Sequence, residues 1–451
     1  MFKSIFGRVL AVMARTSGLL VSVFLVAMPG VPRAQQKMDS YDRDRAETFL
    51  RDAYDAVKKH YYDPKFHGVD LDARFKDYEQ KIGAATTFSQ SFGLVAGFLD
   101  GLQDTHTYFE PPARPYRVDY GFRMHVVGDT CYITQVRPGT DAALKVHPGD
   151  QVIAYNNFAV NRTDFHEMTY FFSALSPQKA SILDLRNPEG QEQKLTVDAK
   201  VRELKKVLDF ASGMGGGVDI WDTIREEENF DRLMRQRYVE MGDVMIWKMP
   251  EFFMDDNEID HLFGIAKKHK ALILDLRGNP GGAIDTLERV VGNVFDHDVK
   301  IADRIGRKES KPQLAKTRGG SAFAGKIIVL VDSSSASCSE LLSRVMQLEH
   351  RGTVIGDRSA GAVMEARGYP YSQGMGTMIF FGFSVTDANL IMKDGKSLEH
   401  EGVTPDEIIL PTARDLAADR DPVLARAAEL AGVNLEPAAA AKLFPVEWRP
   451  E

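Results

Sequence analysis

The sequence predicts an α/β core with a mostly parallel sheet, preceded by a helical N-terminal unit and a small β-rich unit. Three observations carry this prediction. Between 240 and 412, short apolar runs (243–249, 271–276, 327–332, 353–357) alternate with amphipathic stretches (258–270, 285–295, and from Glu340 onward), the pattern of buried strands joined by crossover helices. Between 116 and 205, short β-type runs are divided by turn signals. Between 36 and 115, apolar residues recur at helical spacing.

With 451 residues the chain is too long for one core. A formal net charge of -8 argues against nucleic acid and against anionic membrane surfaces as partners. Residues 1–35 have the pattern of a signal peptide: Lys3, Arg8 and Arg15, then the short apolar stretch 18–28, then small residues and prolines to Ala34. This predicts an exported protein, periplasmic or extracellular, with no membrane span in the mature chain. Cys131 and Cys338 fall in different units and are expected to be free thiols. No Cys/His/Asp cluster has metal-ligand spacing, so no metal or cofactor is expected.

In residues 36–115, Phe49, Ala53, Ala56 and Val57 share one helical face, and a second amphipathic stretch runs from 89 to 102 before Pro111 and Pro112 stop any helix. In residues 116–205 the β-type runs are 131–136, 151–156 and 193–198, and Asp141 to Lys145 has room for a helical turn or two. The turns at 137–140 and 147–150, with the Tyr120-Gly121-Phe122 segment before them, make this unit resemble a PDZ domain. That resemblance implies strand addition of an extended peptide, with its carboxylate held on the backbone amides of Gly121 and Phe122. Residues 206–239, with the glycines of 213–217, are expected to be a linker. Residues 413–451 are expected to be a helical tail, with one helix over 415–431.

The chemistry concentrates around residues 326–346. A buried strand breaks into a serine cluster, Ser333 to Ser339, and then a helix from Glu340. A short side chain at such a helix start lies beside free N–H groups that can stabilise an oxyanion. The same arrangement would suit a plain serine cap. The turn Arg277-Gly278-Asn279-Pro280-Gly281-Gly282 follows the preceding strand, and its paired glycines allow close backbone approach to a ligand.

The ordered motifs DLRGNPGG, SSSASCSELL, VIGDRSAGA and LEHEGVTPD resemble the S41 peptidases, the family of C-terminal processing peptidases and tricorn-like proteases. The resemblance implies Ser337 as nucleophile, with Ser335 and Ser339 as rivals. The lysine that processing peptidases pair with this serine falls at Ala362, which places the chain closer to the tricorn-like branch. In that branch the base is a histidine at the end of the helical unit, here His106. It is assisted by a hydroxyl residue, here Thr105, and oriented by a glutamate, here Glu399. His400 and Glu401 are the rival base and acid. The oxyanion would be held by the N–H of Cys338 and by that of Gly281 or Gly282, so Cys338 contributes a backbone group. The expected activity is hydrolysis of protein or peptide substrates. The alternatives are a non-catalytic peptide-binding protein of the same fold and a non-peptide acyl hydrolase. The sequence leaves the oligomeric state open.

Overall fold

A computed structural model describes residues 37–114, 116–203, 231–308, 311–374 and 379–449. The expected leader and the glycines of 213–217 lie outside them.

The N-terminal unit packs three helices. Helix α1 (Ser40–His60) is capped by Asp39, whose carboxylate accepts the Asp42 N–H. Its predicted face of Phe49, Ala53, Ala56 and Val57 is buried. Helix α2 (Leu71–Gly83) lies within the stretch expected to be helical, and of its residues only Leu71 and Ile82 are buried. Helix α3 (Phe88–Asp100) opens with a capping box between Thr87 and Gln90. The chain then turns through residues 101–107 into strand β1 (Tyr108–Glu110).

The β-rich unit comprises β2 (Tyr116–Asp119), β3 (Phe122–Val127), β4 (Thr130–Val136), helix α4 (Ala142–Lys145), β5 (Gln151–Tyr155), β6 (Phe158–Ala159), helix α5 (Arg162–Tyr170), β7 (Ala180–Arg186), β8 (Glu192–Asp198) and β9 (Lys200–Glu203). Its sheet runs β3-β4-β5-β7-β8, antiparallel throughout, with β6 on β5; β2 pairs with β9. Strand β3 is therefore an edge.

The core holds β10 (Arg237–Met241), β11 (Val244–Lys248), α6 (Asp256–Ala266), β12 (Ala271–Asp275), α7 (Ile284–Gly292), β13 (Val299–Gly306), β14 (Gln313–Ala315), β15 (Lys326–Val331), α8 (Cys338–Leu348), β16 (Thr353–Gly356), β17 (Met364–Gln373), β18 (Ile379–Ile391) and β19 (Glu407–Ile408). One sheet runs β10-β11-β12-β15-β16-β19, with β10 antiparallel to β11 and the other pairings parallel. Alternate residues of its strands face opposite layers. Met245, Trp247, Leu272 and Leu274 pack with residues of α6, α7 and α8, whereas Val244, Ile246, Ile273 and Ile328 pack with Val423, Leu424 and Ala427 from the tail.

A mostly parallel sheet does not describe residues 240–412. Within that stretch β13, β14, β17 and β18 form a second, antiparallel sheet, which β1 joins from the N-terminal unit. Strand β17 buries only Met364 fully, so it carries little apolar signal. Two boundaries also move. Strand β10 begins inside the expected linker, and the tail helix is two helices, α9 (Ala413–Ala417) and α10 (Pro422–Ala431), followed by α11 (Pro437–Ala440). Asp421 caps α10 with Pro422 at its first position, which resets the chain between them.

The antiparallel sheet carries the N-terminal unit to the core. Phe49 of α1 meets Phe381 of β18 at 4.5 Å between ring centroids, and Phe109 stacks on Phe383 at 5.5 Å. Phe49, Phe109 and Phe383 are fully buried, and each such ring stabilises the fold by roughly 1.5–3 kcal/mol. This aromatic seam fixes the turn at 101–107 against the sheet.

Candidate active site

Ser337 sits at the N-cap of α8 with φ 53 and ψ -116, a backbone conformation that a non-glycine residue adopts only where its surroundings enforce it. Its rivals are committed to the framework. The Ser335 hydroxyl donates to the Leu276 carbonyl at 2.9 Å, and the Ser339 hydroxyl to the Asn279 carbonyl at 3.0 Å; both residues are fully buried. Ser337 is half-buried.

The enforcing group is Glu340, one helical turn on and fully buried. Its carboxylate accepts the Ser337 N–H at 3.0 Å, the Ser359 hydroxyl at 2.6 Å, the Gly361 N–H at 2.8 Å and the Ala362 N–H at 2.9 Å. Burial pushes its pKa up to about 7, with these donors pulling the other way. Sequence reasoning read Glu340 only as the start of a helix. A carboxylate's burial depends on which donors the fold brings to it, and nothing local announces that.

The Asp104–Thr107 turn supplies the imidazole. Asp104 Oδ1 accepts the N–H groups of His106 (3.0 Å) and Thr107 (2.8 Å) and the Thr386 hydroxyl of β18 (2.6 Å). Thr105 joins His106 to Glu399. Its N–H donates to Glu399 Oε1 at 2.8 Å and its hydroxyl to Oε2 at 3.0 Å, while the same hydroxyl lies 2.8 Å from His106 Nδ1. Glu399 thus reaches His106 through Thr105. The carboxylate is fully engaged, because Oε2 also accepts the Val363 N–H at 2.8 Å. A hydroxyl has one proton, and here it goes to the ionised carboxylate. Nδ1 must therefore be the donor to Thr105, which leaves the Nε2 lone pair available.

Burial, partly offset by Asp104, lowers the His106 pKa to about 4, so the ring is neutral at pH 7. His166 of α5 lies within electrostatic range of it. Burial also raises the Glu399 carboxyl. The rival His400 points its Nε2 at the Gln103 carbonyl, 3.0 Å away, and is exposed. Glu401 is exposed as well.

A single peptide group ties the two halves together. The Ala362 carbonyl accepts the Ser337 N–H at 2.8 Å, and the N–H of the same peptide, on Val363, donates to Glu399. Among the described residues no hydrogen bond joins the Ser337 hydroxyl to the His106 ring. Such bonds are often long before substrate binds.

The glycine turn faces Ser337. A Cβ on Gly281 would lie 2.7 Å from the Ser337 Cβ and 3.0 Å from the Cys338 nitrogen, and Gly281 has φ +99. Only glycine fits there. The Gly281 N–H, however, donates to Asn279 Oδ1 at 2.8 Å, so it is already committed and does not serve an oxyanion. The N–H groups of Cys338 and Gly282 donate to no backbone carbonyl among the described residues. The Cys338 thiol donates to the Gly282 carbonyl at 3.3 Å, and burial pushes its pKa up to about 12. It is a neutral packing group.

The β-rich unit also touches the serine loop. His125 of β3 lies 3.2 Å from Asp332, whose carboxylate accepts the Gly278 N–H of the glycine turn. Burial pulls the His125 imidazole down, but Asp332 more than offsets this and leaves it raised. Arg162 of α5 pairs with Asp357 at 3.0 Å. Neither pair was foreseen, since each joins residues about two hundred positions apart. The expected peptide-carboxylate site is altered in turn. The Gly121 N–H donates to Asp119 Oδ1 at 2.8 Å and is thereby taken, while Phe122 pairs with Val136 of β4. Among the described residues no group of three or more His, Cys, Asp or Glu side chains could hold a metal, and no helix is long and apolar enough to cross a membrane.

Residues 242–409 match the model of peptidase family S41, and residues 42–90 match that of the tricorn protease C1 domain. The carboxy-terminal-processing protease of Bartonella bacilliformis is 31% identical over 143 residues, 32% of this chain and 31% of that protein. The tail-specific protease of Haemophilus influenzae is 22% identical over 322 residues, 67% of this chain and 43% of that protein. The chain thus spans less than half the length of each of these two curated relatives. The crystal structure of mature CPAF shares the fold, with a TM-score of 0.62 at 15% identity, covering 84% of this chain and 95% of that one.

Proposed function

Starting from the chain's membership of peptidase family S41, we propose that it is an exported serine endopeptidase working through Ser337, His106, Thr105 and Glu399. The hydrogen-bond chain from Glu399 through Thr105 to His106, joined to Ser337 by the Ala362–Val363 peptide group, carries this reading. Ser337 Oγ attacks the carbonyl carbon of the scissile peptide bond and gives its proton to His106 Nε2. The imidazolium is stabilised through Nδ1–H, the Thr105 hydroxyl and the Glu399 carboxylate. The N–H groups of Cys338 and Gly282 receive the oxyanion. The carbon–nitrogen bond then breaks, with His106 protonating the departing amine. Water repeats the sequence on the acyl-enzyme and frees Ser337. The β-rich unit, which flanks the site through His125 and Arg162, is proposed as a PDZ-like module that recognises the peptide. Export is proposed from the N-terminal pattern alone.

The experiment that tests the assignment is labelling with a fluorophosphonate probe. The wild-type chain is expected to be modified at Ser337, and Ser337→Ala is expected to stay unlabelled. Equal labelling of the two sinks the nucleophile assignment.

The electrostatics give a second expected result. His106 is held neutral down to about pH 4, so kcat/KM is expected to rise through pH 4–5 and stay flat through neutrality. An unperturbed histidine would place that limb near 6.5. The unfolded chain takes up this proton below about 6.5 and the folded one only near 4, so His106 removes stability as the pH falls across that window. A pH–rate profile on a peptide substrate checks the first statement, and urea midpoints of wild type and His106→Gln across the window check the second.

A further inference from the structure

Residues 445–449 lie across the β-rich unit. Beyond α11 the chain continues as Pro445-Val446-Glu447-Trp448-Arg449. Arg123 of β3 donates to the Glu447 carbonyl at 3.0 Å, and its guanidinium lies 4.6 Å from the centre of the Trp448 ring. Arg137, just past β4, donates to the Arg449 carbonyl at 2.9 Å and lies 6.0 Å from the same ring. Arg137 is itself paired with Asp119, the residue that takes the Gly121 N–H. Two guanidinium groups therefore share one indole and read the carbonyls on either side of it. Planar, delocalised guanidinium suits this stacking in a way that an ammonium does not.

The rest of the edge is filled by the chain as well. Among the described residues strand β3 pairs with β4 alone. Further along it, the Val126 carbonyl accepts the Ser333 hydroxyl and His125 meets Asp332. The strand that would receive a peptide by edge addition is therefore met at one end by the serine loop and at the other by the tail.

The tail's own anchor is weak. The Glu447 carboxylate bonds Arg235, with Arg232 at 3.8 Å and Arg237 at 4.0 Å. The Arg232 and Arg235 side chains are nearly half exposed, and ion pairs this exposed contribute little. The remaining contacts are carbonyl bonds to Arg123, Arg137 and Arg237 and one stacked ring, all of which another extended peptide with an aromatic residue could make in its place.

We propose that Arg123 and Arg137 form a binding site for an extended peptide carrying an aromatic residue, that residues 445–449 fill it as a tethered ligand, and that the ends of incoming protein substrates displace them. The substrate half of this inference rests on the peptidase reading; the binding half does not. A ligand on a short tether competes at an effective concentration in the mM range, so removing it should tighten binding of a free peptide markedly.

The test uses Ser337→Ala chains, so that nothing is cleaved, and a fluorescein-labelled peptide with the sequence of residues 443–451. Fluorescence anisotropy is expected to give a Kd at least tenfold lower for a chain ending at Phe444 than for the full chain. Full-length Trp448→Ala should move the same way, and it keeps the test standing if the shortened chain fails to fold. Arg123→Ala placed in the shortened chain should return binding to the weak full-length value. Equal affinity for the full chain and for both tail variants overturns the proposal, as does tight binding that ignores Arg123→Ala. Because the readout is binding by an inert variant, these outcomes are independent of whether wild-type chain hydrolyses peptides.

Discussion

Ser337→Ala is expected to lower kcat on a peptide substrate by a factor on the order of 10⁴–10⁶ while leaving the urea midpoint nearly unchanged. Both halves of this expectation follow from the geometry. The fold uses the backbone of Ser337, through its N–H to Ala362 and Glu340 and through its left-handed φ. Alanine keeps that backbone and finds the same conformation no harder than serine does. The hydroxyl is what the chemistry needs, and its neighbours Ser335 and Ser339 cannot replace it because theirs are bonded to buried carbonyls. Steady-state kinetics together with urea unfolding checks the pair of results. A loss of activity accompanied by an equal collapse in stability would mean that the serine is structural.

The second large effect is expected at Glu340. In Glu340→Gln one carboxylate oxygen becomes an NH₂ donor, yet each oxygen of the native group faces two donors. Whichever way the amide turns, N–H groups confront N–H groups in a fully buried site. Leaving such donors unpaired costs about 1–3 kcal/mol apiece, so a loss of about 3 kcal/mol or more is expected, seen as a lower urea midpoint at unchanged m-value. Activity should fall too, through kcat more than KM, because the Ala362–Val363 peptide that spaces Ser337 from Glu399 would lose its support. A variant as stable and as active as wild type would show that the four bonds hold nothing.

The legible part of the site was the part with local signatures. Ser337 follows a buried strand and opens a helix, and the glycine turn stands beside it; both features survive in a one-dimensional reading. His106 and Glu399 were reached only through ordered motifs, since a histidine after a helix and an acid in a loop have no distinguishing local pattern. Glu340 and Asp104 are as deeply involved and were passed over, because their partners lie on other elements. In the fold, the core strands β11, β12, β15 and β16, buried on both faces, were found, whereas β18, although buried from Phe381 to Thr386, β17, with one face open, and β3, an edge, were not. The Gly121 amide was misjudged because a neighbouring aspartate, two residues earlier, captures it.

The bonds between Thr105 and Glu399 span 294 positions of the chain. Loops of that length close late, after local structure has formed. A ribosome releases the Asp104–Thr107 turn well before Glu399, so under the proposed mechanism the base of a growing chain gains its orienting carboxylate only after Ser337 has been made.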